Sequence, residues 1–213
     1  MFLQLKYTQV KLGKEIQMAK VLEKSGFTYE GVLNKNPDVL IDWFDDLGTN
    51  NPLSFLSNFY EGSPFKCYGT VWATSEHAYA AQKVYGVDEE LYKRIAASTD
   101  PQEAKTLGRT ARTIRHDWEE VKYNVMKTVV AEKFLSNPIL TDALLSTGNA
   151  YLQEGTFWDD TVWGVNLIGT NPDGSTDIIQ DPLMREGKNW LGTILMELRA
   201  KIRLGIATSL LTQ

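Results

Sequence analysis

The sequence predicts an α+β domain, mainly α, of several packed helices with a small antiparallel β element. Three observations carry that expectation. Helix-starting signals recur after Thr74, β-like runs are few and short, and no internal repeat or low-complexity tract divides the chain. At 213 residues, with 43% hydrophobic and 23% charged residues, the composition is that of one folded domain with room for an extension.

In chain order, residues 1–12 alternate weakly and read as a strand, and GKEIQMAKVLEKSG (13–26) reads as a short amphipathic helix ended by Gly26. A turn-rich linker follows, so 1–37 is an expected N-terminal extension and 38–213 the main domain. VLIDWF (39–44) and PFKCYGTVW (64–72) are β-like, with Tyr68 and Gly69 placed to turn a hairpin. Thr74 or Ser75 caps the next helix. Asp100, Pro101 and Glu103 supply an N-cap, a first-turn proline and a capping-box acid for a helix to about Ala111. Asp117 with Glu120 repeats that logic for WEEVKYNVMKTVVAEKFL, and Asn137 before Pro138 opens a short helix that ends before Gly148. Residues 148–188, rich in Gly, Asn, Asp and Pro, read as a long loop around TFWDDTVWG, and loops of that length are usually functional or disordered. A last helix spans about 189–204.

The net charge of −5 and pI near 5.2 argue against a protein that neutralises many duplex phosphates, while leaving room for an anionic ligand held by a few cations, or for a single strand. One cysteine, Cys67, rules out an intramolecular disulfide, and two histidines give no zinc-spaced cluster, so neither metal nor cofactor is expected. The start of the chain lacks a signal-peptide pattern and no apolar run approaches 18 residues, so a cytoplasmic protein without membrane partners is expected.

The segment WATSEHAYAAQK (72–83) holds the most chemistry. With a cap at Thr74 or Ser75, Glu76 lies in the first turn and Lys83 seven residues on, about 20° away in azimuth and roughly 10 Å along the axis, with Tyr79 and Ala80 between them. An acid there can simply complement the helix dipole. It can also be half of the carboxyl pair that flanks an oxocarbenium-like sugar in glycoside hydrolysis. Asp159 and Asp160 are candidates for the other half, in a loop whose Trp158 and Trp163 supply aromatic walls. Cys67 reads as core, His77 as packing or capping, and neither His77 nor His116 has a triad or metal partner in the sequence. The P-loop and GxGxxG patterns are absent.

Taken in order, FLSNFY (55–60), W-x-T-x-E-H (72–77), AQK (81–83), AKTLGR (104–109), DWEEVK (117–122), KF-x-x-NP-x-L (133–140), LLSTG (144–148), L-x-E (152–154), D-x-x-WG (160–164) and GKNWLG-x-x-LMELR (187–199) resemble the NADAR, or YbiA-like, family. The likeness covers about 38–203. It implies an N-glycosidase acting on ribosyl groups attached to nitrogen, either removing ADP-ribose from guanine or cleaving a phosphorylated ribosylamino-pyrimidine of riboflavin synthesis. A catalytically silent sensor of NAD-derived nucleotides is the third reading. The family's essential glutamate and aspartate correspond to Glu76 and Asp160, its stacking tryptophan to Trp118, and the AQK lysine to Lys83. Asn58, Arg109, Trp163 and Gly164 fall on motif positions expected to line the same pocket, with Trp72 and Tyr79 beside Glu76. Arg109, Arg112 and Arg115 are phosphate candidates, two of which can equally be solvated. The implied partner is an ADP-ribosylated base or ribosylated small molecule, or a single strand carrying that group. The chain departs from the family at Ala73, where proline is usual, and in a long WG-to-GKN loop that is expected to bear on substrate choice.

Overall fold

The computed structural model describes residues 40–44, 51–158 and 160–206. The strand and helix expected within 1–37, and Asp159, lie outside them. Among the described residues six helices and eight short strands form, the strands in four two-stranded pairs.

The chain enters through β1 (Leu40–Ile41) and a 3-10 turn (Ser54–Leu56), then makes an antiparallel hairpin of β2 (Phe65–Cys67) and β3 (Thr70–Trp72). Tyr68 and Gly69 both adopt positive φ, 51° and 79°, as a two-residue turn matched to strand twist requires. Helix α1 (Ser75–Val84) starts where Thr74 Oγ1 accepts from the His77 N–H, as the sequence predicts. Helix α2 (Glu89–Ala97) is an element the sequence reading did not single out, capped by Asp88 accepting from Leu91 N–H. Helix α3 (Pro101–Arg109) has its expected Asp100 cap and stops two residues before Ala111.

The long helix α4 (Trp118–Leu135) begins where expected but is not capped as expected. The Asp117 carboxylate is gripped at both oxygens by Arg115, at 2.6 and 2.8 Å, so it does not turn to the helix amides. Asn137 caps α5 (Pro138–Ser146), accepting from Ile139 and Leu140. The stretch read as one long loop instead carries five short strands: β4 (Tyr151–Leu152), β5 (Gly155–Thr156), β6 (Val165–Asn166), β7 (Ile168–Thr170) and β8 (Thr176–Ile178). Beside the antiparallel β2–β3 and β7–β8 pairs stand two parallel ones, β1–β4 and β5–β6. Helix α6 (Trp190–Arg203) closes the domain.

Two apolar clusters form the interior. One gathers β1, the 3-10 turn, α5, α6 and the Met126, Val130 and Phe134 face of α4. The other joins β2, β3, α1, α2 and α3 to the Trp118, Val125 and Val129 face of α4. Helix α4 is therefore the shared wall, and Tyr79 packs against both clusters at their seam.

Candidate active site

A cavity of about 880 Å³ opens at that seam. The file predicted on α1 faces it completely: Glu76, Tyr79, Ala80 and Lys83 all line the wall. Asp160 lines the same wall from the β5–β6 connection, 84 residues along the chain from Glu76 (160 − 76). The two carboxylates thus share one chamber rather than facing separate ones.

Local chemistry fixes each of them. The Glu76 N–H donates to Asn58 O at 3.0 Å, which ties the first turn of α1 to the FLSNFY segment and brings Asn58 onto the wall. Asp160 Oδ1 accepts from Val162 and Trp163 N–H at 3.2 and 3.0 Å, an Asx-type turn that holds its carboxylate in place. Tyr79 lines the same wall, its ring 5.2 Å from Trp163 and 4.9 Å from Trp118. Burial first, then the charges of Glu76, Glu119 and Asp160, push the Tyr79 phenol far above its ordinary range, although a hydrogen bond with Trp163 opposes them. Tyr79 is therefore a neutral hydroxyl within electrostatic reach of both acids. Burial also pulls the Lys83 ammonium below its usual value, helped by Lys122 and opposed by Glu119 and Glu76.

Of the residues singled out by the sequence, Asn58, Glu76, Tyr79, Lys83, Arg109, Trp158, Asp160 and Trp163 line the cavity, and Trp72, Trp118 and Gly164 do not. Trp72 is 1% exposed, cross-strand from Phe65, with Nε1 donating to Cys67 O at 2.9 Å; it is core, not pocket. Trp118 is buried behind Tyr79, so it braces that ring instead of forming wall. Gly164 is a packing glycine, since a Cβ there would meet Glu154 O at 2.3 Å. Of the three arginines only Arg109 reaches the cavity, Arg112 being exposed and Arg115 paired with Asp117. His77 is buried, its ring against Thr74 Oγ1 and Ser98 O, and takes the packing role expected of it. The long WG-to-GKN segment folds into the β7–β8 hairpin, and none of residues 165–188 lines the cavity.

Several wall residues were not picked out from the sequence: Phe59, Tyr60, Lys105 and Glu154. Each sits inside a quoted motif piece, which was the available signal. Glu154 is a buried carboxylate, and Lys133 of α4 is 2% exposed, its Nζ donating to Phe55 O and Ser57 O at 2.8 and 2.7 Å. Burial lowers the Lys133 ammonium to about 7, with Glu154 as the charge that resists the shift. Among the described residues no group of three or more His, Cys, Asp or Glu is placed to hold a metal ion, and no helix is long and apolar enough to cross a membrane.

The model of the NADAR domain matches residues 47–203. The chain belongs to the NADAR family. An N-glycosidase of Nostoc punctiforme is 36% identical over 156 residues, covering 71% of this chain and 87% of that protein. The N-glycosidase YbiA of Escherichia coli is 33% identical over 166 residues, 78% of this chain and 89% of its own. The solution structure of E. coli YbiA superposes on this NADAR domain with a TM-score of 0.61 at 33% identity, covering 78% of this chain and 86% of that one. A riboflavin biosynthesis protein of Vibrio vulnificus is 36% identical over 150 residues, which is 70% of this chain and 35% of that longer protein.

Proposed function

We propose that the cavity hydrolyses the bond joining the anomeric carbon of a ribosyl group to a nitrogen, and that the group removed is ADP-ribose on guanine. The reaction class is that of the relatives, hydrolases acting on N-glycosyl compounds. One observation carries the reading: Glu76 and Asp160, remote in sequence, line one chamber with Lys83 and Arg109. A nitrogen base leaves poorly unless protonated, and a carboxyl group across the sugar stabilises the positive charge that develops at the anomeric carbon. In this reading Glu76 handles the proton. Asp160, held by two backbone amides, faces the cationic sugar or the incoming water. Arg109 meets phosphate, and Tyr79 offers a neutral hydroxyl to the group between the acids. The depressed Lys83 amine supports a second role, attack on C1 of the ring-opened ribosyl iminium, in which the Nζ–C1 bond forms as the base nitrogen leaves with a proton, giving an imine that water then hydrolyses to the free sugar aldehyde and Lys83.

The riboflavin-intermediate reading has its own support in the names of the Vibrio and Zea mays relatives. A cavity of about 880 Å³ lies at the upper end of small-molecule sites and favours the larger ADP-ribosyl group. The deciding experiment incubates the protein separately with guanine-ADP-ribosylated oligonucleotide, NAD and ribosylamino-pyrimidine phosphate, and identifies products by mass. Free ADP-ribose with intact guanine is expected, and Glu76→Gln should slow its release by orders of magnitude. Release of ribose 5-phosphate alone would favour the riboflavin reading, and tight binding without any release would leave a sensor.

A further inference from the structure

The cavity wall carries an aromatic group to which the proposed reaction assigns no role. Phe59, just after the 3-10 turn, and Trp158, on the β5–β6 connection, both present their rings to the Lys105 ammonium, at 5.2 and 5.7 Å from the ring centroids. All three line the cavity, although they come from three segments distant in sequence. Trp158 remains 46% exposed, and is backed edge-on by Trp43 at 6.3 Å, which in turn packs on Phe157 at 5.3 Å. Among the described residues no carboxylate forms an ion pair with Lys105. Lys105 and Arg109 are one helical turn apart on α3, and both reach the wall.

A half-exposed tryptophan and a phenylalanine turned toward one point, with two cations beside them, suit a flat aromatic ring joined to phosphate. We propose that Phe59, Lys105 and Trp158 form a nucleobase subsite. It takes the base carried beyond the phosphates, on the far side from the ribosyl group being cleaved, with Lys105 and Arg109 meeting the phosphates. This inference deepens the proposed function and rests on it for the orientation of the ligand. The overall charge of −5, with these cations gathered on the cavity wall, selects the nucleotide's own second base over the neighbouring base of a long strand.

Binding of ADP-ribose and of ribose 5-phosphate to the full chain, measured by calorimetry, tests the subsite without requiring turnover. Wild-type protein should bind ADP-ribose at least about 10-fold more tightly than ribose 5-phosphate, and Trp158→Ala and Phe59→Ala should each weaken ADP-ribose on the order of 10-fold. Ribose 5-phosphate binding should be unmoved, and Trp158→Phe should recover much of the loss. Equal affinity of the wild type for both ligands overturns the subsite, as does an equal loss for both ligands in the variants. It is also overturned if Trp158→Ala weakens an ADP-ribosylated oligonucleotide but not free ADP-ribose, since the rim would then serve a neighbouring base. Selective loss of ADP-ribose binding in a protein that cleaves no ADP-ribosyl-guanine supports the subsite and refutes the proposed function.

Discussion

Replacing Lys133 by methionine should change how stability depends on pH. The Lys133 ammonium is buried and is lowered to about 7, against an ordinary 10.5, chiefly because burial penalises its charge. Below about 7 it is protonated in both folded and unfolded chains, so the folded state carries the whole penalty. As pH rises past 7 the folded chain releases the proton while the unfolded chain keeps it until about 10.5. The unfolded state then binds more protons, and stability rises. A folded value of about 7 gives a gain of about 1.6 kcal/mol between pH 7 and 8.5 from this group alone. Cys67 is pushed up to about 12 from 9.0 and contributes little in that window. Lys83, also depressed, is present in both proteins and cancels in the comparison. At pH 7 the substitution removes the donor to Phe55 O and Ser57 O, a loss of about 1–3 kcal/mol for buried hydrogen bonds from a charged group. Urea unfolding at pH 7.0 and 8.5 measures both quantities. Parallel pH slopes for wild type and Lys133→Met would refute the argument, and so would undiminished stability of the variant at pH 7.

Gly108→Ala should lower the melting temperature and raise KM together, because its Cβ would lie 2.9 Å from Ala80 Cβ and force α3 away from α1. A cost of about 1–3 kcal/mol is expected from thermal unfolding, with a loss of affinity because Arg109 and Glu76 ride on the separated helices. Cys67, buried with its thiol raised to about 12, should resist maleimide at pH 7 in the folded chain and react in urea, as intact mass will report. Borohydride added during turnover should leave a reduced ribosyl adduct on Lys83 by peptide mapping, and an unmodified Lys83 would confine that amine to an electrostatic role.

What the sequence made legible was what a few adjacent residues decide. The caps at Thr74, Asp100 and Asn137 accept the amides expected of them, and helical spacing alone put Glu76, Tyr79, Ala80 and Lys83 on one wall. Asp117 failed as a cap because Arg115, two residues upstream, competes for the same carboxylate. Helix α2 was missed although Asp88 and two first-turn acids were there to be read. The parallel pairs were illegible for a different reason: each is two residues long, and Leu40 meets Tyr151 across the whole helical body. Trp72 was misplaced by its nearness to Glu76 in sequence, whereas strand alternation sends it to the same buried face as Phe65 and Cys67. Glu154 escaped notice because its charge bears on Lys133, which lies on another element 21 residues away in sequence (154 − 133).

The candidate site lies where the two cores meet. Glu76 and Lys83 ride on α1, whose apolar residues belong to the cluster with α2 and α3. Glu154 follows Leu152, and Asp160 precedes Trp163, both of which pack with the cluster around α5 and α6. Neither cluster alone brings Glu76 and Asp160 to one cavity wall. Their juxtaposition depends on α4, which contributes a face to both, and on Lys133, whose ammonium ties α4 to the carbonyls of the segment that carries Asn58 to Glu76. A buried cation is a costly way to hold a loop, since apolar packing of equal volume is often at least as stable. Its cost is intelligible at a seam that holds a cavity of about 880 Å³: a cation can hold the Phe55 and Ser57 carbonyls in register, whereas a larger apolar side chain would fill the gap between the two halves.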